Sequence, residues 1–370
     1  MSVELTEMSY EEYNRIRTGQ MTPAMASEYL KEGRIALRRF RECLMEMVPG
    51  RTAPEVAAVL QEALAEAEPE ADRKSIARKV RNWLSGQNHP TNREDIFCIA
   101  FALGLSEVQT SHLLGIATEY GIHYRDGREA VYAWFLRHNC RYCQARDFFS
   151  TLPAVPSEQT FPENTREHLT RETQIEFLKA HTLEELRRRY EQNLPRLGTF
   201  HVRAYHYFDK YISQLVHPDT APGSPQEPDY SLEAVMDSYL SLQMPFGRDR
   251  TNYSLVQKLL KRNWPNATTL KNIRSHRRDV PRKLLLLLYV ITENITDGDY
   301  SELYEDYLTP EERLEDHWIS LNAILTDCGM PTLDPRNAMD WLVLYAITAS
   351  EESMSERMSQ VIEGLFQDIQ

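Results

Sequence analysis

The chain has 370 residues, enough for two or three separately cored domains, with 42% hydrophobic and 26% charged residues, an ordinary globular composition. Its formal net charge of −13 excludes a general polyanion binder. Yet six Lys/Arg and no acid lie from Arg73 to Arg93, and nine Lys/Arg against Asp279 alone lie from Lys258 to Lys283, so two local basic surfaces are predicted on an acidic chain. No run of 18 apolar residues exists. The most apolar stretch, LLLLLYVI at 284–291, is too short to span a bilayer and predicts a buried helix, so no membrane partner is expected. The first residues, MSVELTEMSYEEYNR, are acidic and lack a signal-peptide pattern. Five scattered cysteines, Cys43, Cys98, Cys140, Cys143 and Cys328, then predict reduced thiols and a cytoplasmic location.

Taken in chain order, the apolar spacing is helical almost throughout. Helices are predicted over 24–47, 53–68, 72–84, 93–103 and 107–120, with one or two more over 127–152. Residues 153–170 carry three prolines among polar residues and look like a connection. Helices return over 172–193 and 199–216, and HPDTAPGSPQEPD at 217–229 has the composition of a linker. Beyond it helical segments are expected near 231–243, 253–262, 266–276, 281–293, 300–307, 310–326 and 336–367. The predicted class is all-α. The domains expected are an N-terminal helical extension (1–29), a first helical unit (30–152), a helical connector ending in the Pro-rich linker (153–229) and a second helical unit (230–370).

The two units are predicted to be diverged copies. KVRNWLSGQNHPTNREDIFCIAFAL (79–103) aligns with TLKNIRSHRRDVPRKLLLLLYVIT (269–292), placing Asn82 on Asn272, Ser85 on Ser275 and Pro90 near Pro281. LLGIATEYGIHYRDGREAVYAWFL (113–136) aligns with LNAILTDCGMPTLDPRNAMDWLVL (321–344), placing Gly121 on Gly329, Arg128 on Arg336 and Ala130 on Ala338. The offset changes from 190 to 208 between these stretches, which predicts about eighteen extra residues in the second copy, between Glu293 and Glu312.

In the first copy Val80, Trp83, Gly86 and Pro90 are followed by Ile96, Ile99 and ALGLS at 102–106. Upstream, GRTAPEVAAVLQ (50–61) has Glu55 and Ala57 at a plausible helix start. Over about 70 residues this resembles the Cro/C1 repressor-like, or XRE-type, helix-turn-helix domain. There the aromatic packs the recognition helix on the core, the Gly stops it in a left-handed conformation and the Pro begins the next helix. The resemblance implies a bacterial, non-enzymatic transcriptional regulator that binds double-stranded DNA and needs no cofactor. Its candidate contacts are Lys74, Arg78, Lys79, Arg81 and Asn82, with Lys271, Asn272, Arg274, Arg277 and Arg278 in the second copy. The pattern departs from the family in AEAEPEAD (65–72), a longer and acidic turn, and in Ile273 and His276, which stand where Trp83 and Gly86 stand in the first copy.

Two other readings use the same residues. A helical adaptor would keep the fold without DNA and hold a protein partner on the acidic surface and middle segment. An RNA-binding accessory protein would use the same basic helices. Cys140 and Cys143 form a CxxC, but a zinc site needs a second ligand pair at similar spacing and none exists, so no metal is expected. In HVRAYHYFDKY (201–211) the five-residue His spacing does not share a helix face, and Val202, Tyr205, Phe208 and Tyr211 are predicted as a core stripe. No P-loop, GxGxxG, GxSxG, HExxH or kinase signature occurs, so no catalytic residue is assigned.

Overall fold

The computed structural model of the chain describes residues 7–86, 88–118, 120–155, 169–198, 200–217, 230–247, 252–292, 309–349 and 352–367. Among them are nineteen α-helices and no strand, the all-α class expected. The chain divides into two compact units. A middle unit comprises Arg38–Phe200 with Gly329–Pro331. A terminal unit comprises the residues up to Leu37, His201–Cys328 and those from Thr332 onward. The stretch read as one connector is therefore divided: residues up to 200 belong to the middle unit, and His201 onward to the terminal one. The Pro-rich linker at 218–229 and the segment 300–307 lie outside the described residues.

The middle unit holds α3 (Phe40–Met47), α4 (Ala53–Ala67), α5 (Arg73–Leu84), α6 (Arg93–Leu103), α7 (Glu107–Thr118), α8 (Gly127–Arg137), α9 (Tyr142–Ser150), α10 (Leu169–Leu178) and α11 (Leu183–Asn193). The terminal unit holds α1 (Glu7–Arg17) and α2 (Pro23–Lys31), then α12 (Val202–Val216), α13 (Leu232–Val235, continued as a π turn to Leu240), α14 (Leu255–Lys261), α15 (Ala267–Arg274) and α16 (Arg282–Thr292). It closes with α17 (Pro310–Asp327), α18 (Ala338–Ile347) and α19 (Met354–Phe366). The single helix expected over 24–47 is two, because Gly33 leaves the helical region at φ +67° and ends the first. On α12 the predicted stripe of Val202, Tyr205, Phe208 and Tyr211 is buried.

Each unit is built around a helix buried on nearly every side. In the middle unit it is α8, where Glu129 through Leu136 are buried. In the terminal unit it is α18, where every residue from Ala338 to Ile347 is buried; there α16 is buried along its whole length as well. Hydrophobic all round is the signature of a central helix rather than an amphipathic one. Burying each of its large side chains contributes about 1.5–3 kcal/mol.

The starts of both central helices are tied down by the same device. Arg93, the first residue of α6, grips Glu129 with Nε–Oε1 at 2.5 Å and Nη2–Oε2 at 2.7 Å. Arg282, the first residue of α16, grips Asp340 with Nη1–Oδ1 at 2.6 Å and Nη2–Oδ2 at 2.8 Å. The same guanidinium donates to Gly121 O in one unit and Thr332 O in the other. The carboxylate also accepts the backbone N–H six residues upstream, of His123 or Asp334. In the loop before that, a side-chain oxygen of Ser111 or Asn322 takes the N–H of Ile122 or Leu333.

These matched bonds fix the register between the units. Arg93 corresponds to Arg282 and Glu129 to Asp340. Ser85 and Ser275 return hydrogen bonds to the carbonyls of Asn82 and Asn272, but the Arg93–Arg282 match runs one residue short of the alignment that pairs those asparagines. The second alignment is corrected by three residues. Arg336 corresponds to Arg125, not Arg128, and Gly121 corresponds to Thr332, not Gly329. The alignment had followed a shared Gly and Arg, whereas the fold holds the residues that make the bonds. The second copy thus carries a few more extra residues than the eighteen expected. Most of the stretch expected to hold them, 293–308, lies outside the described residues; the first turn of α17 belongs to it.

His317 on α17 shares a hydrogen bond between its Nδ1 and the Tyr289 hydroxyl, 2.7 Å away. Burial, with Arg313 nearby, lowers its pKa from 6.5 to about 4. The unfolded chain therefore takes up a proton that the folded one refuses, and stability is lost as pH falls from about 6.5 to about 4. Thermal melts across that window should lose up to about 3 kcal/mol to this group, and His317→Gln should remove that part of the pH dependence.

Candidate nucleic-acid interface

Helix α5 is amphipathic, with Ile76, Val80, Trp83 and Leu84 buried in one core with Leu60, Leu64, Ile96 and Ile99. The Asp72 side chain caps its start by accepting the Ser75 N–H at 3.1 Å. Its end is closed at Gly86, φ +75°, whose N–H returns to Trp83 O. This is the left-handed stop that the motif requires. Upstream, Glu55 accepts the Thr52 N–H at 2.7 Å, so its place at the start of α4 is a capping role.

The face opposite the core carries Lys74, Arg78 and Arg81, at i, i+4 and i+7. All three are exposed and none forms an ion pair among the described residues. Asn82 flanks them, half-buried, while its carbonyl accepts the Ser85 hydroxyl and the Asn88 N–H. Lys79 is turned elsewhere. Its Nζ lies 2.7 Å from Asp95 and 3.4 Å from Glu68, and 5.3 Å from the centre of the Trp83 ring. Partial burial opposes its charge, but the bond and charge of Asp95 outweigh that and raise its pKa. At Asp95 burial prevails and raises the carboxyl. Lys79 thus fastens α5 to α6 rather than joining the exposed ridge.

The acidic turn at 65–72 is partly spent inside the unit: Glu68 holds Lys79 and Asp72 caps α5. Sequence reasoning missed one cation. The Arg39 guanidinium lies beside Gly86, 4.0 Å from where a Cβ would stand. Arg39 immediately precedes α3, two helices ahead of α5, and no local pattern connects it with that helix.

The second basic window does not assemble in the same way. Helix α15 is shorter, and Trp264, which the repeat sets opposite Lys74, is buried. Lys271 pairs with Glu233. Arg274, Arg277 and Arg278 are exposed, but the last two follow the helix, and Arg278 also donates to Thr269 Oγ1 at 3.3 Å. Asn272 serves its own helix end, where its carbonyl takes the Arg277 N–H. His276 holds the left-handed position of Gly86 at φ +54°. Arg282 is consumed by Asp340, and Lys283 caps the carbonyls of Leu259, Leu260 and Arg262 at the end of α14.

No family model, curated protein or solved structure matches this chain. The interface therefore rests on its own geometry. Cys140 and Cys143 are half-buried and carry no disulfide, and no cluster of three or more metal-ligating side chains occurs among the described residues. No helix among those residues is long and apolar enough to cross a membrane.

Trp83 is 5% exposed. Trp83→Ala should cost about 3–5 kcal/mol as a cavity substitution, measured by denaturant unfolding. Unchanged stability would move the ring from the core to an interface.

Proposed function

We propose that this protein binds double-stranded DNA through α5, acting as a non-enzymatic regulator of the kind its XRE-like stretch implies. The observation that carries this reading is the unpaired ridge of Lys74, Arg78 and Arg81 on the face of a helix anchored by its other face. Such a ridge is spaced to neutralise successive phosphates, and Asn82 at its side can reach a base edge. Arg39 extends positive charge past the helix end. The reading places the main contact in the middle unit. The terminal unit supports it through Arg274, Arg277 and Arg278, as a looser basic loop.

A specific observation favours the adaptor as the second reading. Ile175, Leu178 and Leu183 on α10 and α11 are each 44–47% exposed, and grouped exposed apolar side chains are a feature of partner surfaces. That helix pair lies in the middle segment, where a protein partner was expected.

Affinity for random duplex DNA measured against salt separates the two. Each phosphate neutralised contributes about 0.9 to the log–log slope, so replacing Lys74, Arg78 and Arg81 with Ala should flatten it by about 2–3. Lys79→Met should leave the slope unchanged. Absence of binding at about 50 mM salt would remove the DNA reading and leave the adaptor.

A further inference from the structure

The two units share a second correspondence, in the helix pairs that reach their central helices, although in the terminal unit α2 packs chiefly on α19 and touches α18 through Tyr29 against Trp341 and Met21 O against Tyr345. In the middle unit the pair is α10–α11; in the terminal unit it is α1–α2. Thr182 caps α11 by accepting the Glu185 N–H, and Thr22 caps α2 by accepting the Met25 N–H. Leu186 and Tyr190 are fully buried on α11, and Ala26 and Leu30 are fully buried on α2. Thr182 with Thr22, Leu186 with Ala26 and Tyr190 with Leu30 all keep one constant offset along the chain.

The bodies receive the pairs through matched side chains. Arg125, just before α8, donates from Nε to Arg196 O at 3.0 Å. Arg336, its counterpart before α18, donates from Nε to Ala36 O at 2.7 Å. The two acceptors, Arg196 and Ala36, keep the same offset as the caps and the buried residues of the pairs. One face of α8 offers Trp134 Nε1 to Ala180 O at 2.8 Å, and the same position on α18 offers Tyr345 Oη to Met21 O at 2.9 Å. The arginine donors and their acceptors repeat in both registers; the aromatic donors repeat in theirs, but Met21 lies one residue beyond the position that corresponds to Ala180.

Chain order makes this unexpected. Reading from the N-terminus, the elements run pair, body, pair, body. Each pair precedes its own body, yet α10–α11 docks on the body before it and α1–α2 docks on the body after the next pair. We propose that the chain is a tandem duplication of a pair-plus-body repeat in which the two repeats exchange their helix pairs. Each body carries a docking surface whose partner is the pair of the opposite repeat. The halves of the chain on either side of residues 156–168 are then interlocked twice, once in each direction.

The test uses the whole protein with a protease site inserted between Val155 and Leu169, after the uncut insertion is shown to unfold like the parent. After cleavage under native conditions both fragments should co-elute at the parent mass of 43.1 kDa and separate only in denaturant. Two folded species of about half the mass would overturn the proposal. Co-elution must also depend on the docking bonds. In the cut protein, Arg125→Ala and Arg336→Ala should each weaken association of the halves roughly tenfold or more, and Tyr345→Phe to a smaller extent. Halves that stay together as tightly in the Arg125→Ala/Arg336→Ala double variant would overturn it as well. A separate cut at Leu37–Arg38 should leave residues 1–37 bound. Their loss from a remainder that stays folded would show that covalent connection, not the surface, holds the pair, and would overturn the proposal too.

Discussion

The bidentate arginine–carboxylate pair at the head of each central helix is the interaction on which the rest of the structure depends. Arg93 and Arg282 each open a helix, and each reaches a carboxylate in the first turn of a helix buried on nearly every side. The Asp340 side chain is 2% exposed and that of Arg282 8%, so neither charge can fall back on water. Removing one partner of such a pair costs about 3–5 kcal/mol, because the other remains buried and uncompensated. The two partners also bind backbone groups of the loop that leads into the central helix, so the pair sets loop, helix start and neighbouring helix at once. The same set of bonds occurs in both units although their sequences differ at most positions.

The same economy of charge governs the basic windows. Fifteen cations made the two stretches look equivalent, but the fold assigns them different work. Arg93, Arg282 and Lys283 satisfy interior acceptors, Lys79 and Lys271 are held by carboxylates, and only part of each window faces solvent. In α5 the part that remains is a helical ridge. In the second window it is scattered over α14, the last turn of α15 and the loop after it. A count of Lys and Arg cannot make this distinction, since a cation on a core-facing position and one on the ridge differ by a single residue of helical phase.

The exchanged helix pairs and the matched bonds describe one history of constraint. A body with an exposed central helix needs a cover, and a helix pair with one buried face needs a body. Either repeat's pair can meet that need provided its carbonyls are presented to the arginine and to the aromatic on the central helix. The exchange leaves each unit with the same internal arrangement while drawing its residues from both ends of the chain.

The sequence by itself determined the all-α class, most helix positions, and the burial of Trp83 and of the α12 stripe. These follow from local periodicity, capping residues and the need for a left-handed stop after α5. It misjudged the second alignment by three residues, because Gly and Arg are frequent near helix starts, whereas the bonds of Glu129 and Asp340 are invisible along the chain. Only the tertiary structure decided which body each helix pair covers, that Lys79 belongs to α6 and that Arg39 stands beside α5. Each of those depends on residues far apart in sequence meeting in space, and periodicity carries information about a segment's own faces but none about what will pack against them.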